Sequence, residues 1–470
     1  MDRPLAQSSA QSSAQPRVVD VRALLDAGPF TGARRLTFAL CFGIVLLDGF
    51  DTAAIGYIAP SLTAEWGVAR PALAPVLSAA LFGLAFGALA AGPLADRFGR
   101  KAVLVAAVIE IGLACLASSL AGDLTQLVAL RFLTGLGLGA AMPNAVTLTS
   151  EYCPAPRRAL LTNMMFCGFP LGAALGGFLA AWMIPLFGWR SVLVLGGAAP
   201  LLLAGLLIPA LPESLRYLVA KGAPAARIRR VLARVAPDAP DAAGFALGEE
   251  TAVERASVGG EEGRAGVGLV LSRAYRVGSV MLWLAYFMGL VIFYALINWM
   301  PILFRDAGME PRSAALVSAL FPLGGVGAVL AGWLMDRFNA DAVIAAAFAA
   351  TALAVAAIGQ AGGHLGLLML AVFVAGTLMN TAQSSLPALA AAFYPTRGRA
   401  TGVAWMLGLG RFGGIAGSFL VAELAARALP LGTIFAAVAV PALVAAGALV
   451  VKGLAHPHRA RAPAPAIPAH

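Results

Sequence analysis

Residues 92–99 read GPLADRFG and residues 332–339 read GWLMDRFN. Each segment closes an apolar run, and Gly, Leu, Asp, Arg and Phe recur in register. Two further pairs keep almost the same spacing. IAPSLTAEWG at 58–67 aligns with WMPILFRDAG at 299–308, matching Pro60 to Pro301 and Gly67 to Gly308, and CPAPRRA at 153–159 aligns with YPTRGRA at 394–400, matching Pro154 to Pro395 and Arg158 to Arg399. Offsets of 240 or 241 residues throughout mark a duplicated unit. The unit is made for a bilayer: 60% of residues are hydrophobic and 12% charged, against roughly 45–50% and 25% in a soluble domain. Runs able to cross about 30 Å of hydrocarbon at 1.5 Å per residue centre near 47, 83, 111, 138, 172, 200, 289, 323, 351, 378, 412 and 442. The expected fold is therefore an all-α membrane protein with twelve transmembrane helices in two pseudo-symmetric six-helix bundles.

The charges set the expected boundaries and orientation. Residues 1–34, with the tract QSSAQSSAQ, read as a disordered cytoplasmic tail, 35–210 and 278–453 as the two bundles, 211–277 as a polar cytoplasmic linker, and 454–470 as a second tail. With the N-terminus inside, the inner segments hold 26 of the 33 Lys and Arg, the outer loops five and the spans two, as the positive-inside bias requires. Basic residues clustered between apolar spans exclude nucleic-acid binding in spite of the net charge of +10. Cys41, Cys115, Cys153 and Cys167 show no CxxC spacing and read as buried thiols. The four His fall outside mid-membrane positions, so no metal set, cofactor or enzyme chemistry is expected.

Residues 48–60, DGFDTAAIGYIAP, place two carboxylates inside the first span. A charged side chain at the bilayer centre costs several kcal/mol, so both invite a functional explanation. Asp48 and Asp51 stand three apart on one helical face, where desolvation and mutual repulsion raise the cost of ionising both. They are the candidate proton carriers; the plainer alternative makes them fixed ion-pair partners. Arg411 lies about 18 Å along its helix from Arg399, near the bilayer midplane, with no acid of its own half at that depth. It is a candidate for the substrate carboxylate, or else a packing residue bonded to backbone or to Glu110. Tyr294 and Asn298 on the seventh span, and Asn380, Gln383 and Ser384 on the tenth, can grip ring hydroxyls or simply bond helix to helix. Tyr286, Phe293 and Trp405 can stack on an aromatic ring.

GPLADRFGRK at 92–101 and RFLTGLGLGAAMPNAVTLTSEY at 131–152 resemble the signatures of the major facilitator superfamily. DGFDTAAIGYIAP, with MFCGFPLG, LPESLRYL, LAYFMGLVIFYALINWMP and FYPTRGRATGVAWMLGLGRFGG, is similar to its aromatic acid:proton symporters, the 4-hydroxybenzoate and protocatechuate carriers above all. Glu110 departs from that pattern, standing where these carriers are expected to be apolar. The resemblance implies proton-driven import of small aromatic carboxylates across a bacterial inner membrane by a monomer in lipid. It sets the first and fourth helices against the central cavity, which makes an Asp51–Arg131 pair credible where the sequence shows only equal depth. Asp96, Arg97, Arg100 and Lys101, with Glu151, Arg158 and Arg399, are expected to form a cytoplasmic latch between the halves. The alternatives are a carrier of another organic acid, such as benzoate or an aliphatic dicarboxylate, and a transporter-like sensor.

Overall fold

The computed structural model describes residues 18–154, 157–237, 244–246, 267–327, 338–361, 363–394 and 396–456. The membrane helices are α1 (Gly32–Trp66), α2 (Ala74–Phe98), α3 (Arg100–Ser118), α4 (Leu124–Tyr152), α5 (Gly168–Phe187) and α6 (Arg190–Ala210), then α7 (Arg276–Asp306), α8 (Pro311–Leu323), α9 (Ala340–Gln360), α10 (Leu365–Phe393), α11 (Thr396–Ala426) and α12 (Leu431–Ala455). Eleven described segments are long and apolar enough to cross a membrane. The twelfth is α8, described to Leu323 and followed by a 3-10 turn at Gly324–Gly327; residues 328–337, with most of the second GWLMDRFN repeat, lie outside the described residues. Each helix is apolar over most of its circumference because its backbone bonds are satisfied internally and hydrocarbon offers no others.

Small residues bring the helices into contact. A β-carbon added at Gly49 of α1 would lie 1.9 Å from the Phe169 carbonyl oxygen of α5, and one added at Gly172 of α5 would lie 1.8 Å from the Leu46 carbonyl oxygen of α1. Without a hydrophobic force between helices in lipid, such close backbone approach is what holds them. Gly49→Ala is expected to force α1 from α5 and to lower the thermal midpoint of the detergent-solubilised protein by several degrees, at the usual overpacking cost of about 1–3 kcal/mol. A melt superimposable on that of the unaltered chain would show the contact to be slack.

The halves meet toward the end opposite the chain termini. Gly56 of α1 packs on the backbone of Ile297 and Asn298 in α7, and Gly177 of α5 packs on Ala319 of α8. At that end Arg70, in the short helix between α1 and α2, bridges to Asp306 at 2.7 Å, and Arg305 donates to the Pro60 carbonyl. The bundle is closed there by bonds that cross between halves.

At the termini-bearing end the expected disordered tail is corrected over residues 18–34. Strand β1 (Val18–Asp20) pairs in parallel with β2 (Gly244–Ala246), and Asp20 caps a short helix, Val21–Ala27, by accepting from the Arg22 and Ala23 amides. Val21 and Leu25 are buried against the first half. The reason is Arg34, whose guanidinium is fully buried and donates to the carbonyls of Leu25, Gly28 and Val235. Three carbonyls from two separate segments accept from the Nε and Nη1 of that cation, while Nη2 stays buried without a partner, so both segments are drawn onto the bundle. The linker contributes the helices Leu215–Ala220 and Ala225–Val235, the second burying Ile228, Leu232 and Val235. Within the second half, Lys452 of α12 bonds Asp341 of α9 at 2.6 Å, both buried.

Candidate functional site

Asp51 sits in the middle of α1 facing α3 and α4. Arg131 of α4 reaches it with both terminal nitrogens, Nη1 to Oδ1 and Nη2 to Oδ2, each at 2.8 Å. Nη2 also approaches the Asp51 carbonyl at 3.3 Å, and the Cys115 thiol of α3 lies 3.5 Å from Oδ1. The arginine side chain is 0% exposed and the aspartate 2%. A two-pronged guanidinium–carboxylate pair is the strongest ion-pair geometry available and the only economical way to hold either charge in such a place. The sequence showed the two at equal depth, and the family resemblance set their helices face to face; the thiol beside the pair left no trace in the sequence, because nothing in a lone Cys shows which helix it faces.

Asp48 diverges from Asp51 by about 60° around the helix, as three residues at 3.6 per turn require. It is buried, accepts from Thr52 Oγ1 at 3.4 Å, and lies within electrostatic reach of Arg411 from the other half. The two acids therefore serve different neighbours. Arg411, on α11, donates from Nη1 to the Leu84 carbonyl of α2 at 2.9 Å and is only partly buried. Tyr286, Tyr294 and Asp48 are in its electrostatic reach. Gly410 and Gly414 flank it, and side chains there would collide with the rings of Tyr286 and Tyr294 respectively. This arginine is thus bonded to backbone across the halves and keeps most of its donors free for exchange.

Beside Arg131 runs a narrow cleft whose lining includes Thr52, Leu81, Leu84, Arg131, Tyr294 and Asn298. Asn298 donates to Ser418 Oγ of α11 at 3.2 Å, while its own Oδ1 is buried without a partner. The tenth-helix residues divide. Asn380 donates to the Gly376 and Phe321 carbonyls, Gln383 Nε2 to the Tyr286 carbonyl with Oε1 buried and unpartnered, and Ser384 is exposed and bonds within its own helix. Phe293 packs edge-on to Tyr294 and against Phe169 of the other half. Trp405 instead stacks on Trp283, with ring centroids 5.7 Å apart, and is exposed.

The described residues expected in a latch bond within the first half or to the tail and linker packed on it, not to the second half. Arg100 pairs with Asp96 one turn back, Glu151 accepts from Ser214 Oγ at 2.5 Å, Arg158 pairs with Asp26, and the Arg97 carbonyl accepts from the Tyr217 hydroxyl. The Lys101 amide donates to Glu213. The Arg399 side chain lies outside the described residues. Among the described residues, the ion pair that crosses between halves is Arg70–Asp306 at the opposite end.

A chain of membrane helices meeting around a buried charge pair, with a cation offered from the other half, is a carrier architecture, and this chain belongs to the Major Facilitator Superfamily, whose profile matches residues 41–418 with a second match over 282–470. Among its relatives are the 4-hydroxybenzoate transporter PcaK of Pseudomonas aeruginosa, 50% identical over 438 residues covering 93% of this chain and 96% of that one, and the gallate transporter of Pseudomonas putida, 45% identical over 93% and 95%. Among solved structures, the inward-open xylose transporter XylE from E. coli matches with a TM-score of 0.67 over 89% of this chain and 96% of that one, at 18% identity. That likeness is one of fold: twelve helices in two six-helix bundles.

Proposed function

We propose that the protein imports small hydroxylated aromatic carboxylates, of the 4-hydroxybenzoate and protocatechuate type, together with protons, by alternating access. The observation that carries this reading is the buried Asp51–Arg131 pair beside the cleft, with a second arginine, Arg411, held by one bond to the carbonyl of the cleft-lining Leu84. Protonation of Asp51 removes the counter-charge of Arg131, and the freed guanidinium then attracts a carboxylate. Arg411 takes the same carboxylate from the second half by exchanging its single backbone bond for a two-pronged one. Asp48, within reach of Arg411, responds to that exchange, and Tyr294, Asn298, Asn380 and Gln383 offer partners to ring hydroxyls. The relatives that carry 4-hydroxybenzoate and gallate support this substrate class. Ser384, exposed and bonded within its helix, is the weakest member of the proposed set.

Alternating access would open the termini-bearing end while Arg70–Asp306 keeps the other closed, and would exchange that bridge for contacts among Asp96, Arg97, Arg100, Glu151, Arg158 and Arg399 in the opposite state. Both arginines of the cleft come from one chain, so a monomer suffices. The distribution of Lys and Arg supports termini in the cytoplasm, and the bacterial relatives support a place in the inner membrane.

The test is uptake of labelled 4-hydroxybenzoate into liposomes containing the purified protein under an imposed inward proton gradient. Accumulation should be inhibited by protocatechuate more strongly than by benzoate, and hardly at all by a short aliphatic dicarboxylate. Equal inhibition by the dicarboxylate would move the substrate class, and binding without accumulation would favour a sensor.

A further inference from the structure

Glu110 of α3 has no role in the transport reading above. Its side chain is partly exposed, but Oε2 is fully buried against the Gly137 backbone, whose amide is near it without hydrogen-bond geometry, and no side chain among the described residues donates to it. The oxygen points into a cradle left by Gly137 of α4, where an added β-carbon would lie only 1.9 Å from it, with Ile111 and the Ala107 backbone as the other walls. Any residue but glycine at 137 would evict the carboxyl group. An ionised carboxylate oxygen is not kept in such a place without donors, because each missing bond to a charged group is expensive in a medium without water.

Position gives the group its meaning. Cys115, whose sulfur touches Asp51, is five residues further along α3, so Glu110 lies about 7.5 Å from that level toward the termini-bearing end. On α4, Gly137 is likewise six residues beyond Arg131, about 9 Å in the same direction. Asp51 is the charged group within electrostatic reach of Glu110, and Arg131 is already committed to it. The remaining helices packed on α3 keep their charges at their ends: Asp96 and Arg97 on α2, Arg190 on α6, and Arg100 and Lys101 on α3 itself, the last two about 13 Å or more away. Nothing else on those helices competes for the site.

The geometry points to Glu110 as a second proton site, the station that receives the proton from Asp51 on its way to the termini-bearing end. This rests on the reading of Asp51 as the coupling carboxylate. The step balances simply. The Asp51 acid gives its proton, through one or two water molecules, to the Glu110 carboxylate; Asp51 becomes the carboxylate that re-forms both bonds to Arg131, and Glu110 becomes a neutral acid able to sit in its cradle without a partner. The structure has the form of that later state: Asp51 is paired, Glu110 is unpartnered, and the far end is shut by Arg70–Asp306. The proton then leaves Glu110 to water at the open end.

Infrared difference spectra of the purified protein in liposomes at neutral pH test the assignment directly. The unaltered chain should show a carboxylic-acid C=O band that is absent in Glu110→Gln and present in Asp51→Asn. In transport, Glu110→Gln should slow gradient-driven uptake of 4-hydroxybenzoate about tenfold, less than an obligatory proton-transfer group contributes, since water can bypass the station. Exchange of internal for external substrate at equal pH, which needs folding and binding but no net proton movement, should be unaffected. Glu110→Asp, which keeps a carboxyl group, should retain the band and recover part of the uptake. A band that survives in Glu110→Gln, or is missing from the unaltered chain, overturns the assignment, as does unchanged gradient-driven uptake in Glu110→Gln. If Asp51→Asn keeps proton-driven uptake, the coupling reading fails, and the spectra still report separately on Glu110.

Discussion

Asp51→Asn is expected to abolish accumulation of substrate driven by a proton gradient. The asparagine is nearly isosteric and inserts at less cost than the aspartate, but it cannot exchange a proton and presents one acceptor oxygen to Arg131 where the native carboxylate presents two. Removing one partner of a buried pair leaves the other charge uncompensated, at a cost of about 3–5 kcal/mol. The single variant should therefore lose thermal stability as well as coupling. Asp51→Asn combined with Arg131→Gln separates the two effects: stability should return because no lone charge remains, while coupling should stay absent. Measuring uptake against an imposed pH step and melting temperature on the same preparations decides the matter. A stable double variant that still concentrates substrate against its gradient would remove Asp51 from the mechanism.

The second large effect is expected at Arg411. Its guanidinium makes one bond, to the carbonyl of the cleft-lining Leu84, and has Tyr286, Tyr294 and Asp48 in electrostatic reach. A carboxylate that takes a two-pronged bond there gains charge-assisted hydrogen bonds worth about 1.5–3 kcal/mol each. Arg411→Ala should weaken 4-hydroxybenzoate binding by roughly a hundredfold, at about 1.4 kcal/mol per factor of ten. Arg411→Lys keeps the charge but loses the planar fork, and should cost about tenfold. Equilibrium binding to folded protein in detergent reads both. Unchanged affinity in Arg411→Ala would leave this arginine as a tie between α11 and α2 and transfer the carboxylate to Arg131.

What the sequence disclosed and what it withheld divide along a physical line. Span number and the duplication were legible because apolar length measures the bilayer and recurring residues keep a fixed offset; the Asp51–Arg131 pair was legible only in part, since the residues gave equal depth and the family resemblance supplied the facing of the two helices. The acceptor of Arg411 was not, since a backbone carbonyl carries no residue-specific signal and Leu84 looks like any other lipid-phase leucine. Asp341 and Lys452 each looked like a helix-end charge, and only the packing of α12 on α9 makes them a buried pair. The ordered segment at 18–34 was hidden by the polar tract before it. Val18, Val19, Val21 and Leu25 were the available sign, four apolar residues around a capping Asp20, too short a pattern to stand against its neighbours.

The way Arg34 is satisfied bears on how the chain is made. Two of its acceptors, Leu25 and Gly28, are synthesised before it, but the third, Val235, follows 201 residues later, and the strand partner of Val18–Asp20 later still. During translation this arginine enters the bundle with its coordination incomplete and stays so until all six helices of the first half, and the linker helix after them, have left the ribosome. The cap can therefore close only late: the first half is sealed at its termini-bearing end once Val235 has followed α6, 41 residues before α7 starts at Arg276.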